Sequence, residues 1–135
     1  MFPDPSPNLK MRFLWLAIGY ILVFVVVYQS IAAHPVEVAN FPYQDKFFHA
    51  LAYFSLMAWF AQIYHDKFQR NMIAVIFIFM GMAMEYIQSF EPTRTADIAD
   101  IAANMTGVGL GFLLSLTMLK NILVNFEKRV IRRRA

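Results

Sequence analysis

The chain has 135 residues, of which 59% are apolar and 16% charged, and its formal net charge is +3. This length fits one domain, and the apolar fraction exceeds what a water-soluble domain of this size needs. The chain contains no cysteine, which excludes disulfide and thiolate chemistry.

The apolar residues fall into four long runs joined by short polar segments, which predict transmembrane helices at about residues 13–33, 46–64, 72–90 and 98–119. Each run is close to the roughly 20 residues that cross a bilayer core of about 30 Å. The predicted fold is all-α: a polytopic membrane protein built as a bundle of four transmembrane helices. Residues 1–119 form the membrane domain, and residues 120–135 form a basic cytoplasmic tail.

Two alternatives compete with this interpretation of the first run. A soluble four-helix bundle would show one apolar stripe per helix, whereas residues 13–33 are apolar all round. A cleaved signal peptide would explain why Lys10 and Arg12 precede the run and why Ser30-Ile31-Ala32 resembles a cleavage site. The run is longer than a usual signal core and further apolar runs follow it, so a retained span is preferred.

The basic residues predict the orientation. Ten of the 12 flank the same side of the four predicted spans, and the two exceptions are Lys46 and Arg94. The positive-inside rule then places both termini in the cytoplasm. The basic tail lacks an aromatic platform, so nucleic acid is not an expected partner.

The polar residues of the spans collect just inside the outer interface in this topology. They open the second span, close the third and open the fourth: Asp45, Lys46, His49 and Tyr53; Glu85 and Gln88; Arg94, Asp97, Asp100 and Asn104. Their spacing of three and four residues gives each group one helix face, so three short stripes can converge.

Glu85 is the residue in this layer that a structural role explains least. Asp45 and Asp97 can be N-caps, and Asp100 occupies the place of a capping-box acid. Glu85 instead lies near the C-terminal end of its helix, where the dipole disfavours an anion, and below the interface. Protonation, a partner such as His49, Lys46 or Arg94, or a bound cation would offset that cost.

Three motifs in a fixed order carry a family resemblance. They are Asp45-Lys46-x-x-His49-x-x-x-Tyr53, Glu85-x-x-Gln88, and Arg94-x-x-Asp97-x-x-Asp100-x-x-x-Asn104, which Gly107 and Gly111 continue. This pattern, over residues 45–111, resembles the VanZ-like family of small bacterial integral membrane proteins. The resemblance implies a multi-pass protein of the bacterial cytoplasmic (inner) membrane with a cell-envelope role. The family's founding member is associated with low-level resistance to the glycopeptide antibiotic teicoplanin.

The first functional hypothesis is that the outer polar layer binds or modifies the headgroup of an envelope lipid or glycan. The catalytic candidates are His49, Glu85 and Asp100, and the binding candidates are Asp45, Lys46, Tyr53, Gln88, Arg94, Asp97 and Asn104. Lys46 and Arg94 would clamp phosphate or carboxylate, and His49 with Glu85 would handle a proton or a divalent cation. A metal-assisted hydrolase is one version of this hypothesis, with oxygen and imidazole ligands from Asp45, His49, Glu85 and Asp100. No zinc-motif spacing makes that version specific, so no metal ligand is assigned and the cofactor is left open.

The second hypothesis is a non-catalytic scaffold or partner subunit whose polar layer is a structural hydrogen-bond network. A transporter is disfavoured, because the cytoplasmic halves of the spans lack a matching polar track. The expected partners are membrane lipids and an envelope lipid or glycan ligand, with a second copy of the chain left open. Whether the protein is an enzyme is also left open.

Overall fold

A computed structural model describes residues 9–31, 44–92 and 97–134, and every regular element in them is a helix. In chain order these are α1 (Arg12–Ile31), α2 (Gln44–Ile63), α3 (Lys67–Gln88), α4 (Ile98–Leu114), a 3-10 turn (Met118–Asn121) and α5 (Ile122–Arg134). The predicted all-α fold is confirmed.

Two of the described helices, α1 and α3, are long and apolar enough to cross a membrane. α4 and α5 qualify together as a third, broken span that is bent by 78°. α2 is as long as α1, at 20 residues, but its first turns carry Asp45, Lys46 and His49. The described residues therefore give two spans, or three if the bent pair counts as one, and the predicted four-span arrangement is not confirmed.

Two helix boundaries differ from the predicted spans by five residues, and the others agree to within two. α3 begins at Lys67, five residues before the predicted start at 72, because the Asp66 side chain accepts a hydrogen bond from the Gln69 amide at 3.1 Å and caps the helix. α4 ends at Leu114, whereas the predicted span continues to residue 119. The Thr117 hydroxyl donates to the Leu114 carbonyl at 2.7 Å, which satisfies one of the last carbonyls of the helix.

The closest helix contact lies between α2 and α4. A Cβ atom at Gly107 would collide with the Ala50 carbonyl oxygen, and one at Gly111 would lie 2.7 Å from the Met57 Cβ atom. The two glycines are four residues apart, the spacing that lets helix backbones approach in membranes. Their role is therefore packing within the bundle.

α2 is the central helix, and its buried residues all lie between Tyr53 and Ile63. Tyr53, Leu56, Met57 and Phe60 form the core there with residues from α3 and α4. α2 contacts α1, α3 and α4, and of its polar first turns Lys46 and His49 are partly buried whereas Asp45 is exposed. This burial explains why α2 needs less apolar surface than α1 or α3.

The bundle has two ends with different chemistry. At the polar end, α1 and α3 finish, and α2 and α4 begin. At the terminal end, α1 and α3 begin, α2 and α4 finish, and α5 folds back across the bundle. Leu123 and Val124 of α5 pack there against Leu9, Trp15 and Ile63.

A buried acid connects α5 to the start of α1. Glu127 is 1% exposed and accepts hydrogen bonds from the backbone amides of Lys10 at 2.7 Å and Met11 at 3.0 Å, and from the Trp15 indole at 2.5 Å. The segment predicted as a basic tail therefore contains a helix whose acid satisfies amides at the N-terminal end of α1. The sequence carries one sign of this docked helix, because Leu123, Val124 and Glu127 lie on the same helical face.

Candidate polar site at the end of the bundle

The polar end brings together most of the residues that the sequence singles out. α2 supplies Asp45, Lys46 and His49, and α4 and its cap supply Asp97, Asp100 and Asn104. α3 adds Glu85, whose carboxyl oxygen Oε1 accepts the Asp97 amide. We call these seven residues the polar cluster. Arg94, the remaining charged candidate, lies outside the described residues.

Lys46 links three carboxylates of the polar cluster. Its Nζ lies 3.0 Å from Asp97 Oδ2, 3.3 Å from Asp45 Oδ2 and 3.4 Å from Asp100 Oδ1. An ammonium group has three donors, and all three are engaged. A phosphate clamped by Lys46, as the sequence suggests, would therefore have to displace one of these carboxylates.

The acids of α2 and α4 play different structural roles. Asp97 caps α4, since its Oδ1 accepts the Ala99 amide at 2.9 Å. That hydrogen bond and the Lys46 ammonium lower the pKa of Asp97 from its usual value. Asp45 lies within α2, which is described from Gln44, so the N-cap role that the sequence allows for Asp45 is not the one it has. Asp100 is 5% exposed and contacts Lys46.

His49 joins α2 to α4 through its imidazole. Its Nδ1 lies 3.0 Å from the Asn104 side-chain oxygen, an acceptor that pairs with the tautomer protonated at Nδ1. Its Nε2 lies 3.8 Å from Asp100 Oδ2, which is too long for a hydrogen bond. Asn104 is 2% exposed and packs against Gly81 of α3, which fixes the amide between three helices.

Glu85 has one satisfied oxygen and one unsatisfied oxygen. Its side chain is 4% exposed, and Oε1 accepts the Asp97 amide at 2.6 Å. That amide lies at the N-terminal end of α4, where the helix dipole favours an anion, and so offsets the unfavourable place of Glu85 on α3. Its Oε2 is buried and has no hydrogen-bond partner.

Tyr53 provides a second buried polar atom without a partner. The side chain is 1% exposed, its hydroxyl makes no hydrogen bond, and the Glu85 carboxyl lies within electrostatic range of it. A hydroxyl can donate and a carboxylate oxygen can accept, so the two groups offer complementary hydrogen-bonding capacity. Buried polar atoms in native proteins usually have partners. Among the described residues, five buried side-chain atoms lack one: Glu85 Oε2, the Tyr53 hydroxyl, Gln44 Oε1, Gln69 Oε1 and Arg70 Nε.

Gln88 lies at the same end of the bundle, but its side chain forms a hydrogen bond with α1 instead of with the polar cluster. Its side-chain amide donates to the Ser30 carbonyl of α1 at 2.6 Å, and the side chain is 2% exposed. Gln88 thus attaches α3 to the last turn of α1. The sequence placed Gln88 on the same face of α3 as Glu85 but did not indicate Ser30, because a backbone acceptor leaves no residue-type signal.

The metal hypothesis gains no support at the polar end. Among the described residues, no group of three or more His, Asp or Glu side chains could hold a metal ion. Lys46 separates Asp45, Asp97 and Asp100 by occupying the space between their oxygens. The cluster is therefore built around an ammonium group.

Comparison with known proteins gives one family and one curated relative. The profile of the VanZ/LLP1 family matches residues 6–120. The Schizosaccharomyces pombe protein named Uncharacterized protein C11E3.10 is 33% identical over 105 residues, which cover 75% of this chain and 62% of the relative. The aligned part is thus less than two thirds of the relative's length. No solved structure matches the chain significantly.

Proposed function

This chain belongs to the VanZ/LLP1 family, as the motifs of residues 45–111 predict, and we propose that it is a multi-pass protein of the cell envelope whose polar cluster binds the headgroup of an envelope lipid or lipid-linked glycan. Modification of that headgroup is the further step that His49, Glu85 and Asp100 could support. The relative is a fission-yeast protein, so a bacterial inner-membrane location stays a prediction.

The proposed topology has four spans, with the polar end outside and both termini in the cytoplasm. The distribution of charge supports it, because Lys46 is the single basic residue of the described segments at the polar end. The other basic residues of those segments lie at the terminal end, and cytoplasmic segments are enriched in Lys and Arg. α2 would cross as the central helix, with its polar residues facing α4.

The unpaired Glu85 Oε2 is the observation that carries the proposal. A carboxylate oxygen buried in the membrane without a partner is unfavourable, and ionisable groups there usually belong to a functional site. Glu85 Oε2 can accept from a ligand hydroxyl or ammonium, and the Tyr53 hydroxyl can donate to the same ligand. Sugars and amino-alcohol headgroups carry such groups. In a modification reaction, Glu85 could take a proton from a ligand hydroxyl.

The test compares lipid retention by wild type, Glu85→Gln and Tyr53→Phe. Each purified protein is offered phosphatidylethanolamine, phosphatidylglycerol and a polyprenyl-phosphate sugar, and retained lipid is measured by native mass spectrometry. We expect a preferred headgroup in wild type and about tenfold weaker retention in the variants, equivalent to about 1.4 kcal/mol.

Tyr86→Phe is the matched control, since Tyr86 follows Glu85 on α3 and is 68% exposed. It should retain lipid as wild type does. Folded variants that keep the wild-type headgroup preference would refute a ligand role for Glu85 and Tyr53.

A structural role for the polar cluster is the second candidate. It is favoured by the internal pairing of Lys46 with three carboxylates and of His49 with Asn104. In that case the protein acts as a membrane scaffold or partner subunit, and Glu85→Gln would fail to accumulate instead of losing a ligand. A glycopeptide-resistance role rests on the family resemblance, and the drug susceptibility of cells with and without the gene tests it.

A further inference from the structure

A lateral groove of about 400 Å³ opens between α1 and α3 in the half of the bundle nearer the terminal end. On α3 it is lined from Phe68 to Met80, and Tyr20 and Val23 of α1 form the opposite wall. α1 and α3 are the two helices that are long and apolar enough to cross a membrane by themselves. The groove therefore faces the lipid tails instead of water.

The groove matches one leaflet of a bilayer in length and chemistry. From Phe68 to Met80 the helix rises about 18 Å, and one leaflet of the hydrocarbon core is about 15 Å deep. Nearly all the lining side chains are apolar or aromatic, and Gln69 is the exception, at the end nearest the interface. Apolar walls with few polar groups are the usual composition of a ligand site.

The mouth of the groove carries positive charge. The Arg12 guanidinium lies 4.9 Å from the ring centroid of Tyr64, which lines the mouth, and Lys67 is exposed one residue before Phe68. Asp66 directly precedes Lys67, and its carboxylate caps α3. The guanidinium of Arg12 and the ammonium of Lys67 together favour an anionic lipid headgroup at this mouth.

We propose that this groove binds an acyl chain of an anionic glycerophospholipid from the leaflet at the terminal end, with the phosphate between Arg12 and Lys67. In the topology proposed above this is the cytoplasmic leaflet. The site is separate from the polar cluster, which lies at the opposite end of the bundle. Its occupant would fill the gap between α1 and α3 and hold the two helices at a fixed separation.

The test uses phosphatidylglycerol with a diazirine on its acyl chain, in nanodiscs made of phosphatidylcholine. After photolysis, labelled residues are mapped by peptide mass spectrometry. We expect several-fold more label on Met72, Ile73 and Ile76 than on Val75 and Phe79, which are lipid-exposed but lie outside the groove. Uniform label over all exposed faces of α3 would overturn the proposal.

Two matched tryptophan substitutions separate the groove from its surroundings. Ile76 is 55% exposed and lines the groove, whereas Val75 is 47% exposed and does not. Ile76→Trp should reduce labelling of the groove at least threefold, and Val75→Trp should leave it unchanged. If Ile76→Trp does not fold, Met72→Trp takes its place. Undiminished labelling in the folded groove variant would contradict the site.

The headgroup preference has its own measurement. A diazirine phosphatidylcholine probe should label the groove less than the phosphatidylglycerol probe, and Lys67→Gln combined with Arg12→Gln should remove the difference. Equal labelling of wild type by the two probes would overturn the anionic-lipid assignment. None of these experiments involves Glu85 or Tyr53, so failure here is distinct from failure of the headgroup proposal.

Discussion

Replacing Glu127 by Ala should release α5 from the bundle. The substitution leaves three donors without their acceptor: the backbone amides of Lys10 and Met11 and the Trp15 indole. Loss of a helix cap costs about 0.5 to 2 kcal/mol, and a buried donor left unpaired costs about 1 to 3 kcal/mol. Water can reach the amides once the carboxylate is gone, so we expect a total of about 3 kcal/mol.

Hydrogen exchange of the α5 amides measures this effect directly. If exchange requires detachment of α5, about 3 kcal/mol corresponds to about a hundredfold faster exchange. Glu127→Gln keeps the shape and one acceptor oxygen, and should give a smaller acceleration. The indole of Trp15 loses its acceptor in the alanine variant, so its fluorescence should also change.

Lys128→Ala is the matched control, because Lys128 is the next residue on α5 and is exposed. An exposed substitution changes stability by about 0.5 kcal/mol or less, which is about a twofold change in exchange. Protection of α5 that is the same in Glu127→Ala as in Lys128→Ala would refute the reasoning. It would mean that Leu123 and Val124 hold the helix without the buried carboxylate.

Two further predictions concern packing and pH. Gly107→Ala should sharply reduce the yield of folded protein, because the added methyl group would collide with the Ala50 carbonyl. Gly109→Ala is the control: the added methyl group meets open space, so this variant should be neutral or more stable by up to about 1 kcal/mol. Equal yields of the two variants would contradict the close α2/α4 contact. Burial lowers the pKa of His65 from its ordinary value of 6.5, so the neutral form is favoured in the folded state, and stability should fall as pH drops below about 6.5. Melting temperatures between pH 5 and 7.5 should show a shallower slope in His65→Gln, and an identical slope would refute this role.

The local features of the helices follow from the amino-acid pattern. Apolar runs predict the all-α fold and locate α1 to α4 to within five residues, because chain hydropathy and the helix period are local properties. The same pattern indicated that Lys46, His49, Glu85 and Asp100 would lie at one end of the bundle. It did not predict the break after Leu114, where Ser and Thr hydroxyls satisfy the last helix carbonyls.

The partners of the buried charges could not be predicted from residue types. Glu85 is satisfied by the Asp97 backbone amide, and Gln88 by the Ser30 carbonyl, and backbone groups are the same at every position. Charge counting also placed Glu127 in a basic tail, whereas the fold buries it against the start of α1. In each case the partner depends on how two distant segments meet.

The sequence by itself thus determined the class of protein, its family and the side chains that gather at the polar end. The tertiary structure alone decided that Lys46 is enclosed by carboxylates, that Glu85 Oε2 and the Tyr53 hydroxyl stay unpaired, and that a groove opens between α1 and α3. The physical reason is that helix formation and membrane insertion depend on residues near in sequence. Pairing and cavities depend on the distances between helices, which only packing sets.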